Sequence, residues 1–311
     1  MTITLDDIRA AAARISSITH RTPVMTSQTF NSLSGVSAHF KCENFQRGGA
    51  FKLRGAANAI LALKPARVVA YSSGNHAQAV AIAAREVGIQ ATIVMPNDAP
   101  KSKVDGTRGY GAEVVIYDRL REDRVAIGEA LAREYNATII PPFDHPLVMA
   151  GQGTAALELV ETVPDLDALV VCVGGGGLIS GCATAAKSLN PNVRVFGVEP
   201  SDGNDTWLSL QAGHQVHIDP PTTIADGLRA QSPGKLTFPI VQQLVEQVVL
   251  VTDDEIRAAM KFALLRMKIL IEPSGAVAMA AVLHRKLPAS LGRVGIIVSG
   301  GNVDFEVLQS L

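Results

Sequence analysis

Aromatic residues are scarce in this chain, at 5% of 311 residues, and there are only three cysteines, Cys42, Cys172 and Cys182. Three scattered thiols do not make a disulfide framework, and without a CxxC pair they suggest no zinc site. Charge of neither sign dominates: the formal net charge is -1, so neither nucleic acid nor an anionic membrane is expected as the main partner. Long apolar runs are missing too, because glycine or charge interrupts each one before it reaches transmembrane length. The opening MTITLDDIRAAAARI carries acids on an amphipathic helical pattern and reads as a helix rather than a signal peptide. A cytoplasmic location is therefore expected. What remains, 47% hydrophobic and 18% charged, is the composition of an ordinary globule able to bury one large core or two smaller ones.

Glycine is abundant, at 27 residues, which favours helices packed closely on a sheet. Short apolar runs alternate with longer alanine-rich helical patterns. VVAYSS (68–73) precedes HAQAVAIAAREVG, ATIVMP (91–96) precedes KSKVDGTRGYG, and EVVIYD (113–118) precedes REDRVAIGEALAREY, with ATIIPP following at 137–142. The pattern resumes at ALVVCVGGGG (168–177) and RVFGVEP (194–200), then a helical MKFALLRM segment, an apolar helix near 275–285 and a final strand RVGIIVSGG (293–301). Strand and helix at this spacing predict βαβ units, hence an α/β fold with mostly parallel sheets. The turn and helix at 143–163 suggest a return from one unit into another. The expected organisation is a compact unit at 67–144 inserted into a discontinuous larger domain of 1–66 and 145–311.

The strongest local signal is VCVGGGGLISG (171–181), a buried strand running through four glycines into a small-residue helix. Successive backbone N–H groups can there face one concavity at a helix N-terminus, and a phosphate fits. A tight turn that only permits close packing is the plainer alternative. The run lacks the Lys-Ser/Thr of a Walker loop, and Ile179 replaces the last glycine of GxGxxG, so neither ATP nor a dinucleotide is the first choice. Three further loops could converge on it: SSGNH (72–76), EPSG (272–275) and SGGN (299–302), although each alone could be a capping or turn motif. Lys52, in FKLRG, sits among apolar neighbours. It is either a surface amine with a buried stem or an amine held dry for covalent work.

NFQRGGAFKLRGA, SSGNHAQA, GQGTAALE, GGGGLISG and SGGN together resemble the serine/threonine dehydratase family. These are pyridoxal-phosphate enzymes of fold type II, a group that includes serine racemases and threo-3-hydroxyaspartate dehydratases. The likeness runs from about residue 5 to the end of the chain. It implies two open α/β domains with the cofactor in the cleft between them, the 67–144 unit moving to close the site. It further implies that Lys52, beside Phe51, holds the cofactor aldehyde and later acts as the base at Cα. Gly174, Gly175, Gly176 and Gly177 would wrap the phosphate, Asn75 would donate to the ring hydroxyl, and Ser299 would meet the pyridine nitrogen. Ser72, Ser73, Gly74, Asn75 and His76 would receive the substrate carboxylate. The implied reaction removes water from L-threonine or L-serine, giving a 2-oxo acid and ammonia.

Ser73 matches the serine that in the family's racemases faces the lysine across the cofactor, so the resemblance leaves racemisation open beside elimination. In VEPSDGNDTW (198–207), Glu199, the Gly203 carbonyl and Asp205 match the positions where racemase-like and hydroxyaspartate-active members bind a divalent cation, though alanine is usual where Gly203 stands. Mg²⁺ is expected, with Ca²⁺ or Mn²⁺ as alternatives. Arg119, Arg121, Arg124 and His145 are candidates for a second substrate carboxylate, against the simpler reading of a solvated, self-compensating face. A cysteine-synthase-like replacement enzyme fits the FKLRGA context less well. A catalytically silent ligand-binding protein of the same fold is opposed by Lys52, Asn75, the glycine run and Ser299 together. The resemblance also implies a homodimer and, with SGGN so near Leu311, no C-terminal amino-acid-sensing domain.

Overall fold

A computed structural model describes residues 3–99 and 101–311. The chain opens with α1 (Leu5–Ile15), started by a capping box in which Thr4 and Asp7 each satisfy the other's backbone N–H. Then come β1 (Val24–Met25), α2 (Gln28–Ser34), β2 (Ser37–Cys42) and α3 (Lys52–Leu63). Next is an alternating run of β3 (Arg67–Tyr71), α4 (Asn75–Glu86), β4 (Gln90–Pro96), α5 (Lys101–Gly109), β5 (Glu113–Tyr117), α6 (Arg124–Glu134) and β6 (Thr138–Ile139). A long α7 (Pro146–Thr162) leads to β7 (Ala168–Cys172), α8 (Gly177–Leu189), β8 (Arg194–Pro200) and α9 (Asp205–Ala212). The chain closes with α10 (Thr237–Leu244), β9 (Gln247–Val251), α11 (Asp253–Phe262), α12 (Pro273–Leu283), β10 (Arg293–Val298) and α13 (Phe305–Gln309).

Two sheets result. Six strands run in the order β1-β2-β10-β7-β8-β9, parallel except for the antiparallel edge strand β1. Four strands in the order β5-β4-β3-β6 form a wholly parallel second sheet. The central strands β7 and β10 are almost wholly buried, as expected of parallel strands covered on both faces. Each sheet has its own core; α3 and α4 pack with the smaller sheet, α7 and α8 with the larger. Helices α7 and α8 approach closely because both carry glycine at the crossing. A Cβ on Gly181 would lie 2.3 Å from the Met149 carbonyl oxygen, and one on Gly153 would lie 2.7 Å from that of Gly181.

Some sequence expectations shift. The last strand stops at Val298, so Ser299 opens a loop, and the 137–142 run pairs only at Thr138–Ile139. The MKFALLRM stretch is helical, but its end, Ala263–Met267, is a π-helical turn closed by Lys268 at φ 62°. Strand β2, SAHFKC, escapes apolar periodicity because it carries His39 and Lys41, yet it pairs along its whole length with β10. In both sheets the carboxyl ends of the strands, at Tyr71, Cys172 and Val298, feed the SSGNH loop, the glycine run and the SGGN loop, where open α/β sheets place ligands.

Candidate active site

The approach to α3 runs alongside the loop after β10. Ala50 bridges Gly300, the Phe51 N–H donates to the Ser299 carbonyl at 3.0 Å, and the Gly301 N–H donates to Gly49 at 2.9 Å. This pairing puts Lys52 beside Ser299. At the first turn of α3, Lys52 Nζ donates to the Pro142 carbonyl at 2.9 Å and lies 5.0 Å from the Phe51 ring centroid. Burial lowers the amine's pKa to about 8, although Cys172 and Glu272 pull the other way. About a tenth is thus the neutral nucleophile at pH 7, a share that grows quickly as pH rises. Ser299 is buried, its Oγ 3.4 Å from the Ser274 carbonyl.

The glycine run occupies the turn from β7 into α8. The N–H groups of Gly174, Gly175, Gly176 and Gly177 donate to no acceptor among the described residues. Gly176 has φ 88°, and a Cβ there would meet Thr237 Oγ1 at 2.7 Å; at Gly175 it would lie 2.3 Å from the Phe143 ring. The turn thus requires glycine and leaves a row of free donors at a helix N-terminus, suited to a phosphate.

The loop after β3 supplies the facing wall. Ser72 Oγ accepts from the Gly74 N–H at 3.3 Å, whereas the Ser73 hydroxyl, half-buried, has no hydrogen bond among the described residues. Asn75 Nδ2 donates to Glu272 Oε1 at 2.7 Å, and its Oδ1 accepts from Asn302 at 2.9 Å. Glu272 stands at the N-cap position of α12, but its side chain makes no capping bond and turns to Asn75 instead. Burial raises the Glu272 carboxyl to about 8. His76 Nε2 bonds the Ile140 carbonyl at 2.8 Å, so that nitrogen carries the hydrogen, and Nδ1 is buried without a partner. Burial and the nearby Lys52 depress the ring to about 3, keeping it neutral. Sequence reasoning missed the site contacts of Pro142, Gln152, Glu272 and Asn302. EPSG, GQGT and SGGN marked three of them as motifs, but nothing marked Pro142.

A half-buried lysine whose pKa is lowered towards the physiological range, near a glycine turn with free N–H donors, is a fitting receptor for a small phosphorylated aldehyde. The chain matches the family described as pyridoxal-phosphate dependent enzyme over residues 15–300. It belongs to that family. A serine racemase of Schizosaccharomyces pombe is 50% identical over 97% of this chain and 95% of its own length. An L-threo-3-hydroxyaspartate ammonia-lyase of a Pseudomonas species is 51% identical over 98% of this chain and 97% of its own. The solved structure of maize serine racemase superposes with a TM-score of 0.96 at 44% identity, covering 100% of this chain and 97% of that one. The two-sheet architecture is that of the fold type II pyridoxal-phosphate enzymes.

Away from the cofactor cradle this family member holds an under-partnered acid pair. Glu199, at the end of β8, accepts from the N–H groups of Thr206 at 3.0 Å and Trp207 at 2.8 Å. Asp205, which begins α9, is buried and neither carboxyl oxygen has a partner. Burial pushes the Asp205 carboxyl up to about 7, and burial together with Asp205 raises Glu199 well above the carboxylate range. Among the described residues no group of three or more His, Cys, Asp or Glu gathers as a metal cluster, so a cation here would need carbonyl or water ligands as well. The basic candidates do not form one group. Exposed Arg119 pairs with Asp98 at 3.0 Å and exposed Arg121 with Asp118 at 3.7 Å, while His145 Nδ1 caps α7. Arg124 is exposed and makes no ion pair among the described residues. No helix among the described residues is long and apolar enough to cross a membrane.

Proposed function

We propose that this protein eliminates water from β-hydroxy-α-amino acids, releasing a 2-oxo acid and ammonia, with L-serine and L-threonine as the first substrates and L-threo-3-hydroxyaspartate as the rival. The observation that carries the reading is the desolvated Lys52 amine, whose Pro142 acceptor also holds Gln152 against Gly177 in the glycine turn with its free N–H donors. Pyridoxal phosphate, when bound, supplies the electron sink that makes the substrate Cα proton acidic. Lys52 holds the cofactor and moves that proton, its pKa of about 8 being close to the operating range of a general base. The backbone donors and hydroxyls of Ser72, Ser73, Gly74, Asn75 and His76 receive the substrate carboxylate. Asn75, fixed by Glu272 and Asn302, and the buried Ser299 would hold the cofactor ring. The Lys103–Asp226 ion pair, 2.6 Å, and the Asn75–Glu272 bond join the 67–144 unit to the rest of the chain and support closure of that unit over the cleft, which excludes water.

A second reading, racemisation, is favoured by one observation. Ser72 takes the loop's backbone donor, which leaves the Ser73 hydroxyl free to exchange a proton at Cα from the face opposite Lys52. The acid pair is assigned to a divalent cation, Mg²⁺ first, held by Glu199, Asp205 and the Gly203 carbonyl. An orphaned buried carboxylate beside a second one is the donor set a hard cation needs. The role is structural or activating.

The test is incubation of the full-length protein with pyridoxal phosphate and Mg²⁺, separately with L-serine, D-serine, L-threonine and L-threo-3-hydroxyaspartate. Both 2-oxo acid release and the chirality of the remaining substrate are read. Keto-acid release without enantiomer exchange supports elimination alone, and preference for the dicarboxylate would bring Arg124 into the site. D-serine accumulation that disappears in S73A supports the second reading. Cofactor binding with no turnover of any substrate would return the protein to the silent ligand-binding class.

A further inference from the structure

Gln152 lies in GQGT, a motif to which neither the phosphate turn nor the substrate loop gives a task. It is 1% exposed, on α7, and its atoms reach three parts of the site. Cγ packs against Gly55, one turn beyond Lys52 on α3, where an added Cβ would stand 3.0 Å away. Oε1 faces Gly177 at the head of α8, where an added Cβ would stand at 2.6 Å. Nε2 donates at 3.2 Å to the Pro142 carbonyl, the same oxygen that accepts from Lys52 Nζ at 2.9 Å. Oε1 is buried with no donor, so the bond to Pro142 is the amide's only polar contact among the described residues. A buried polar atom left unpaired costs about 1–3 kcal/mol, a cost that methionine of similar length would avoid.

We propose that Gln152 is a positioning residue: its amide fixes the Pro142 carbonyl, and through it the Lys52 amine, between α3 and the glycine turn. The inference rests on Lys52 being the amine that captures the cofactor. A carbonyl oxygen has two lone pairs. With one engaged by Gln152, the group keeps a fixed direction and shares its capacity to stabilise an ammonium. Without the Gln152 donor, the carbonyl turns freely towards Lys52 and supports its charged form. The other groups facing this amine are Glu272 ahead of α12, Cys172 at the end of β7 and neutral His76 on α4, and none is altered in the variants below.

The experiment follows covalent capture of pyridoxal phosphate by the full-length protein freed of cofactor, by absorbance across neutral to alkaline pH. Borohydride reduction and mass measurement report occupancy of Lys52. Wild-type capture is expected to rise with a midpoint near 8, the pKa of the amine. Q152M, matched in length, and Q152E, matched in shape, are expected to move the midpoint upward. A midpoint higher by about one pH unit lowers capture at neutral pH about tenfold and leaves the alkaline plateau unchanged. A wild-type midpoint in either folded variant, or a uniform loss of rate at every pH, would overturn the proposal, the latter marking a merely structural role. Failure of the wild type to capture the cofactor would instead overturn the reading on which it rests.

Discussion

Two clusters of buried charge in this molecule differ in one respect, whether their partners are present. Around Arg54, which has no exposed side-chain surface, the charges are complete. Its guanidinium bonds both oxygens of Glu43 and of Glu158, Thr154 Oγ1 and the His20 carbonyl, and Lys41 Nζ reaches Glu158 and the Thr22 carbonyl, each at 2.6 Å. Two cations face two anions, with hydrogen bonds to spare. Around Asp205 two neighbouring buried carboxylates make no ion pair among the described residues, and both Asp205 oxygens have no hydrogen bond there. Burying a charge is tolerable only when it is paired and hydrogen-bonded. The first cluster therefore reads as structure, tying β2, α3 and α7 together behind Lys52, and the second is the pair we propose as a cation site.

The contrast can be broken from either side. The largest effect is expected from R54M, which strands Glu43 in the interior and leaves Glu158 with Lys41 as its remaining cationic partner. Loss of one partner from a buried network costs about 3–5 kcal/mol, and thermal unfolding should show it with or without divalent cations. Next is cation removal: Mg²⁺ at a hundredfold excess over its Kd should stabilise the wild type by about 2.7 kcal/mol, read as a melting shift reversed by chelator. D205N should abolish that shift, because a neutral amide replaces the anionic oxygen a hard cation needs. An undiminished shift in D205N would place the cation elsewhere. The smallest effect belongs to G203A. A Cβ there comes no nearer than 3.4 Å to Pro221, so stability should change by no more than about 0.5 kcal/mol and the cation response should persist.

Much of this was legible in the sequence because parallel strands and glycine turns write themselves locally. ALVVC followed by GGGG states both a covered strand and a turn that tolerates no side chain. VVAY, followed by SSGNH, marks the wall opposite. Other features were hidden because they depend on residues distant in the chain. Lys41 in β2 looks like a break in an apolar strand until Glu158, 117 residues later, is placed beside it. Glu272 looks like a helix cap until Asn75 claims it. The Pro142 carbonyl carries no side-chain signal, so the acceptor of Lys52 could be found only in three dimensions. The FKLRG segment itself joins the two kinds of charge: Lys52, under-partnered and near neutrality, and Arg54 two residues on, saturated with partners.

That juxtaposition also supplies the most direct test. The full-length protein is loaded with pyridoxal phosphate, reduced with borohydride, digested and mapped by peptide mass. Lys52 should carry the label essentially alone, because its amine is desolvated with a pKa of about 8 and held by one carbonyl. Lys41, more deeply buried and clasped by Glu158, should remain unmodified. A label on Lys41, or one spread over several lysines with Lys52 among the unlabelled, would contradict the claim that chemistry resides where the buried charge lacks its partner.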